Sequence, residues 1–146
     1  MKIVLLDGEA LNPGDLSWAP LEALGELTVY PHGVDDQEEV IRRIGDADIV
    51  LGNKTPVSRL VFERCPGIRL VCLVSTGYNV VDITAAKEHG IPVCNVPAYG
   101  TEMVAQFAIG LLLELCHHVQ LHNESVHSGE WERCPNFSYW KAPIME

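Results

Sequence analysis

The stretch Leu70-Val71-Cys72-Leu73-Val74 constrains this chain more than any other. It is a continuous apolar run that stops abruptly at Ser75-Thr76-Gly77, and Asp82 then opens a helical pattern. A run with no polar alternation is what a strand buried on both faces looks like, and such strands belong to parallel sheets flanked by helices. The same unit recurs along the chain. Strands are expected over Lys2–Leu6, Glu26–Tyr30, Asp48–Leu51, Arg69–Val74 and Ile91–Asn95, with helices over Leu16–Leu24, Asp36–Ile44 and Asp82–His89 between them. Thr55 followed by Pro56 reads as the start of another helix, ending before Pro66. Gly90 reads as a left-handed cap after the Asp82 helix. Alternating strands and helices imply an α/β fold, a three-layer α/β/α flavodoxin-like domain with a five-stranded parallel sheet.

After the fifth strand the pattern changes. Met103, Val104, Phe107, Ala108, Leu111, Leu112, Leu115 and Val119 recur at helical spacing, which predicts one long helix capped by Thr101 and running to about His127. Ile109 and Leu113 widen its apolar arc, so this helix needs partners on two sides. Beyond Gly129 the chain turns polar and aromatic, with Trp131, Phe137, Tyr139 and Trp140, and reads as a connecting segment. The expected organisation is therefore a domain over 1–100 and a crossover helix with its connector over 101–146.

Length and composition suit one globular domain: 146 residues, 47% hydrophobic and 21% charged. A net charge of −10 argues against nucleic acid or an anionic membrane as partner, and no apolar run is long enough to span a bilayer. A small anionic ligand stays possible, because local backbone N–H groups can hold an anion against the global charge. The five cysteines are odd in number, widely spaced and contain no CxxC, which points to a reducing, cytoplasmic setting. Cys72 and Cys94 are expected inside core strands.

In an open parallel sheet, ligands bind at the carboxyl ends of the strands. That directs attention to four loops: Asp7-Gly8-Glu9, Gly52-Asn53-Lys54-Thr55, Ser75-Thr76-Gly77-Tyr78-Asn79 and Val96-Pro97-Ala98-Tyr99-Gly100-Thr101. Successive N–H groups around Ser75, Thr76 and Gly77 suit a carboxylate; equally, Gly77 suits a tight turn needing positive φ. Asn53 and Lys54 suit a substrate carboxylate or hydroxyl, or a solvated turn. Tyr99 faces either a ligand or the crossover packing. No G-x-G-x-x-G or P-loop spacing occurs, so these residues hold no pyrophosphate by themselves.

The run RLVCLVSTGYNVVDITAAKEHGIPVCNVPAYGTEMVAQFAIGLLLEL (69–115) resembles the N-terminal half of the D-isomer-specific 2-hydroxyacid dehydrogenases. GNKTPVS (52–58) resembles their hydroxypyruvate reductase and glycerate dehydrogenase branch. The resemblance implies an oxidoreductase of two lobes, a substrate lobe first, then a long helix (102–127 here) crossing into a Rossmann lobe for NAD or NADP. It implies a small 2-oxo or 2-hydroxy acid as substrate and a homodimer for the full-length protein. The family's catalytic Arg, Glu and His fall in the second half, so no catalytic residue is expected in this chain. The Rossmann lobe is expected to be absent, and the chain alone to be inactive.

By the same resemblance, main-chain N–H groups at Ser75, Thr76 and Gly77 hold the substrate carboxylate, and Thr76 also touches cofactor. Asn53, Lys54 and Tyr99 lie on the substrate side, and the backbone of Val104 lies near the cofactor phosphates. Many members carry A-E-H where this chain reads Ala105-Gln106-Phe107, so Gln106 inherits no role.

Three other readings are set against this one. A response-regulator receiver shares the topology but needs an Asp after the third strand and a Lys after the fifth, where this chain has Gly52-Asn53-Lys54 and Val96-Pro97. Glu114, His118 and His122 lie four apart, a spacing that suits zinc or a solvated stripe. A non-catalytic interaction or regulatory module would use the apolar arc around Ile109, Leu112 and Leu113.

Overall fold

In the computed structural model, which describes residues 1–136, the strands are β1 (Lys2–Leu5), β2 (Glu26–Val29), β3 (Ile49–Gly52), β4 (Leu70–Leu73) and β5 (Val93–Cys94). All pair in parallel, in the order β2-β1-β3-β4-β5. This is the flavodoxin-like order expected from the strand–helix alternation. Helices α1 (Gly8–Leu11), α2 (Ala19–Glu22), α3 (Gln37–Ile44), α4 (Arg59–Arg64) and α5 (Ile83–Glu88) connect the strands. The chain divides into two compact units, residues 1–98 and residues 99 onward.

The first unit has an unequal sandwich. On one face, Val40 and Ile44 of α3, Val61 and Phe62 of α4, and Ala85 and Ala86 of α5 pack onto Val4, Val50, Val71 and Leu73. On the other, Ile3, Leu5 and Leu51 are covered by Leu11, Trp18 and Leu21. Cys72 of β4 packs against that second layer only half-buried, and Cys94 on the edge strand β5 is exposed. The expectation that Cys94 lies in the core fails because β5 is short and at the sheet edge, with a neighbour on one side only.

Local chemistry places the helix ends. The Asp36 side chain accepts from Glu39 N–H to start α3, and Asp82 accepts from Ala85 N–H to start α5. Gly90 has φ +69, the left-handed conformation expected of a residue just past a helix. Three expectations are corrected. Thr55 does not cap a helix: its hydroxyl donates to Asp7, Val57 bridges Val81, and α4 begins only after Ser58. The helix expected over Leu16–Leu24 is confined to Ala19–Glu22, since the buried Asn12 side chain accepts from Gly14 and Leu16 N–H and holds the preceding segment as a turn.

The third correction concerns the second unit. The single long helix is instead α6 (Thr101–His117) and α7 (Val119–His127), bent by 58° at His118, whose φ is +49. Gly100, not Thr101, is the N-cap of α6. Glu114 accepts from Gln120 N–H at 3.1 Å and so satisfies a donor at the start of α7. A short α8 (Glu130–Arg133) follows Gly129. Among the described residues, no single helix is long and apolar enough to cross a membrane. Phe137, Tyr139 and Trp140, expected in a connector, lie outside the described residues.

Candidate functional site

Strands β3 and β4 stop level with each other: Gly52 pairs with Leu73, and Val74 N–H donates to Gly52 O at 2.9 Å. The loops that follow therefore emerge side by side at the carboxyl edge of the sheet, about 5 Å apart as neighbouring strands are. Asn53 and Lys54 leave β3, and Ser75, Thr76 and Gly77 leave β4.

The β4 loop is braced from the β5 side. Val96 N–H donates to Ser75 O at 3.0 Å, the Thr76 hydroxyl donates to Val96 O at 3.1 Å, and Asn95 Nδ2 donates to Thr76 O at 2.8 Å. The Ser75 hydroxyl closes the turn by donating to Gly77 O at 2.9 Å. Among the described residues, the N–H groups of Ser75, Thr76 and Gly77 have no protein acceptor, and Thr76 and Gly77 are exposed. A braced loop whose carbonyls and hydroxyls are engaged, and whose N–H groups are free, presents positive edge to a ligand. Gly77 does not have positive φ, so the tight-turn explanation of this glycine fails.

The β3 loop is built differently. Its N–H groups turn inward: Asn53, Lys54 and Thr55 all donate to Oδ2 of the buried Asp7, at 2.6, 3.2 and 3.3 Å. The Thr55 hydroxyl donates to Asp7 Oδ1 at 2.6 Å. These N–H groups are spent, so Asn53 and Lys54 can contribute only their side chains to a ligand; Asn53 is half-buried and Lys54 exposed. The Asp7 network is absent from the sequence reading except as the first residue of a strand-end loop. The available signal was an Asp closing the apolar run Ile3-Val4-Leu5-Leu6.

Beside this loop lies a cavity of about 520 Å³ lined by Asp7, Glu9, His32, Asp35 and Lys54 among others. Its carboxylates make it a poor seat for an organic acid, which fits the free N–H groups of the β4 loop better. Cys72 and Cys94 face each other across β4 and β5. Burial pushes the Cys72 thiol up, and the adjacent Cys94 adds to the shift, so Cys72 stays a neutral thiol.

Tyr99 and Val104 belong to the second unit, and both side chains are exposed. Val104 N–H donates to Gly100 O at 2.9 Å as the first bond of α6, so it is not a free donor. Among the described residues no group of three His, Cys, Asp or Glu is placed to hold a metal. The spacing of Glu114, His118 and His122 is broken by the bend at His118.

The profile of the D-isomer specific 2-hydroxyacid dehydrogenase catalytic domain matches residues 4–139. The chain belongs to this family. A hydroxypyruvate reductase of Blautia hydrogenotrophica is 62% identical, over 100% of this chain and 46% of that protein. A glycerate dehydrogenase of Methylorubrum extorquens is 29% identical, over 99% of this chain and 45% of that protein. Among solved structures, an acyclic imino acid reductase in complex with NADPH and D-Arg superimposes with a TM-score of 0.72 at 25% identity, over 88% of this chain and 41% of that one. The chain thus spans about half the length of the curated relatives it matches.

Proposed function

We propose that this chain is the acid-gripping part of an NAD(P)-dependent D-2-hydroxyacid dehydrogenase that reduces a short 2-oxo acid, with hydroxypyruvate or glyoxylate as the favoured substrates. The observation that carries the reading is the set of free N–H groups at Ser75, Thr76 and Gly77, on a loop braced by β5. They hold the substrate carboxylate, while the side chains of Asn53 and Lys54, from the neighbouring strand end, address the carboxylate or the hydroxyl at C3. Tyr99 is assigned to the substrate side by the family resemblance. The identity to a hydroxypyruvate reductase supports the choice of substrate class.

The overall reaction is 2-oxo acid plus NAD(P)H and a proton, giving the D-2-hydroxy acid and NAD(P)+. A nicotinamide held by a second lobe would supply the hydride. The residues present do not fit the cofactor as a whole: no glycine-rich strand–turn–helix occurs, and only Thr76 and Val104 are assigned toward it. Pyrophosphate binding and the proton donor are therefore assigned to a second lobe outside these residues. This chain contributes position, which is a large share of the barrier when two reactants must meet in one geometry. The five free thiols accord with a cytoplasmic enzyme, and the exposed apolar residues of α6, Phe107 and Leu115 among them, accord with a homodimer or a second lobe packed there.

The test is hydroxypyruvate-dependent oxidation of NADH and of NADPH by the complete enzyme carrying this chain, alongside a titration of the 146-residue chain. Turnover by the former and no saturable NADH binding by the latter are expected. Micromolar NADH binding by the chain alone contradicts the division of labour.

A further inference from the structure

Asp7 is 2% exposed, and its carboxylate accepts four hydrogen bonds, all from three consecutive residues of the β3 loop. Oxygen Oδ2 gathers the N–H groups of Asn53, Lys54 and Thr55, and Oδ1 takes the Thr55 hydroxyl. Successive N–H groups converging on one oxygen form a concave anion site. Here the anion is internal, supplied by the chain 46 residues earlier. Two glycines pack directly against the carboxylate. A Cβ at Gly33 would lie 2.1 Å from Asp7 Oδ1 and 2.8 Å from Thr55 Oγ1, and one at Gly52 would lie 3.2 Å from Asp7 Oδ2.

We infer that Asp7 is a positioning residue for substrate recognition: its carboxylate turns the peptide planes of 53–55 inward and so aims the Asn53 and Lys54 side chains outward at the strand ends. The inference deepens the proposed function and rests on its assignment of Asn53 and Lys54 to substrate. It also explains how two adjacent loops divide their work. The β3 loop, its N–H groups committed to Asp7, cannot bind an external carboxylate through its backbone. The β4 loop, with free N–H groups, can. An internal carboxylate next door thereby removes a competing backbone anion site and leaves one seat for the substrate acid.

The test combines two measurements on Asp7→Asn, which is isosteric, and on Thr55→Val with Thr55→Ser as the conservative control. In the 146-residue chain, amide hydrogen exchange at Asn53, Lys54 and Thr55 is expected to rise about tenfold or more in Asp7→Asn and less in Thr55→Val, as follows from losing charge-assisted bonds. Exchange at Val71 and Leu73 in the sheet stays unchanged. In the complete enzyme, Asp7→Asn raises KM for hydroxypyruvate about tenfold while kcat changes less than about threefold, and Thr55→Ser behaves as the parent protein. Unchanged exchange at 53–55 in Asp7→Asn overturns the inference. So does an unchanged KM in Asp7→Asn when Asn53→Ala and Lys54→Ala each raise it. If Asn53→Ala and Lys54→Ala leave KM unchanged, the substrate assignment fails, while increased exchange in Asp7→Asn still supports the positioning of the loop.

Discussion

The Thr76 hydroxyl donates to the Val96 carbonyl at 3.1 Å, tying the loop after β4 to the segment after β5. The bond lies at the rim of the sheet and joins two exposed residues, so its consequence is for loop geometry rather than for the core. Replacing Thr76 by Val keeps the shape and deletes the bond. A single hydrogen bond of this kind is worth about 1 kcal/mol net, so KM for the 2-oxo acid rises about fivefold in Thr76→Val and is restored in Thr76→Ser. The melting temperature moves by no more than a few degrees, about what 1 kcal/mol gives in a domain of this size. Steady-state kinetics and thermal unfolding of the two variants check this.

Gly77 separates stability from binding more cleanly. Its φ is not positive, and a Cβ there meets only Asn79 Oδ1, at 3.3 Å. Gly77→Ala is expected to change stability by less than about 0.5 kcal/mol, as exposed substitutions usually do. The added methyl stands beside N–H groups proposed to meet the carboxylate, so KM rises. Denaturant unfolding beside kinetics distinguishes this from a misfolded loop.

The core makes the opposite prediction. Phe62 is fully buried among α3, α4, α5 and the sheet. Phe62→Ala removes its contacts and leaves a cavity, costing about 3–5 kcal/mol. Urea unfolding is expected to show a lower midpoint with an unchanged slope.

On the surface of α3, Glu39 accepts a forked pair of bonds from Arg42, at 2.6 and 2.7 Å, and a third from Arg43 at 2.8 Å. Arg42 first, then Arg43, holds the Glu39 carboxyl at about 2 instead of its ordinary 4.5. A carboxyl depressed by folding stabilises the fold above its ordinary range and loses that contribution as pH falls through the folded value. The contribution is therefore present above pH 4.5 and fades toward pH 2. Carboxyl NMR should find Glu39 titrating well below the other glutamates, and high salt should reduce the difference because the group is at the surface.

Much of the frame was legible because it is local. The apolar runs marked β1 to β5, and Asp36, Asp82 and Gly90 marked helix ends by chemistry within a turn of themselves. What was missed depends on partners far along the chain. Thr55 followed by Pro56 has the local form of a helix start, yet its hydroxyl is recruited by Asp7, 48 residues away, and Val57 bridges Val81. The bend at His118 was invisible because the apolar periodicity runs on from Leu115 to Val119, with no Gly or Pro to mark a break. Cys94 looked like core because its strand did; its exposure follows from β5 lying at the edge, which only the sheet order reveals. The candidate substrate loop is legible from its place after the central apolar run, but which of its groups are engaged depends on Asn95 and Val96, far along the chain.

The most direct measurement is a crystal structure of the complete enzyme with hydroxypyruvate bound. The substrate carboxylate is expected about 3 Å from the backbone nitrogens of Thr76 and Gly77, within hydrogen-bond range. Bound substrate whose carboxylate lies elsewhere, with those nitrogens facing only solvent, would contradict the account.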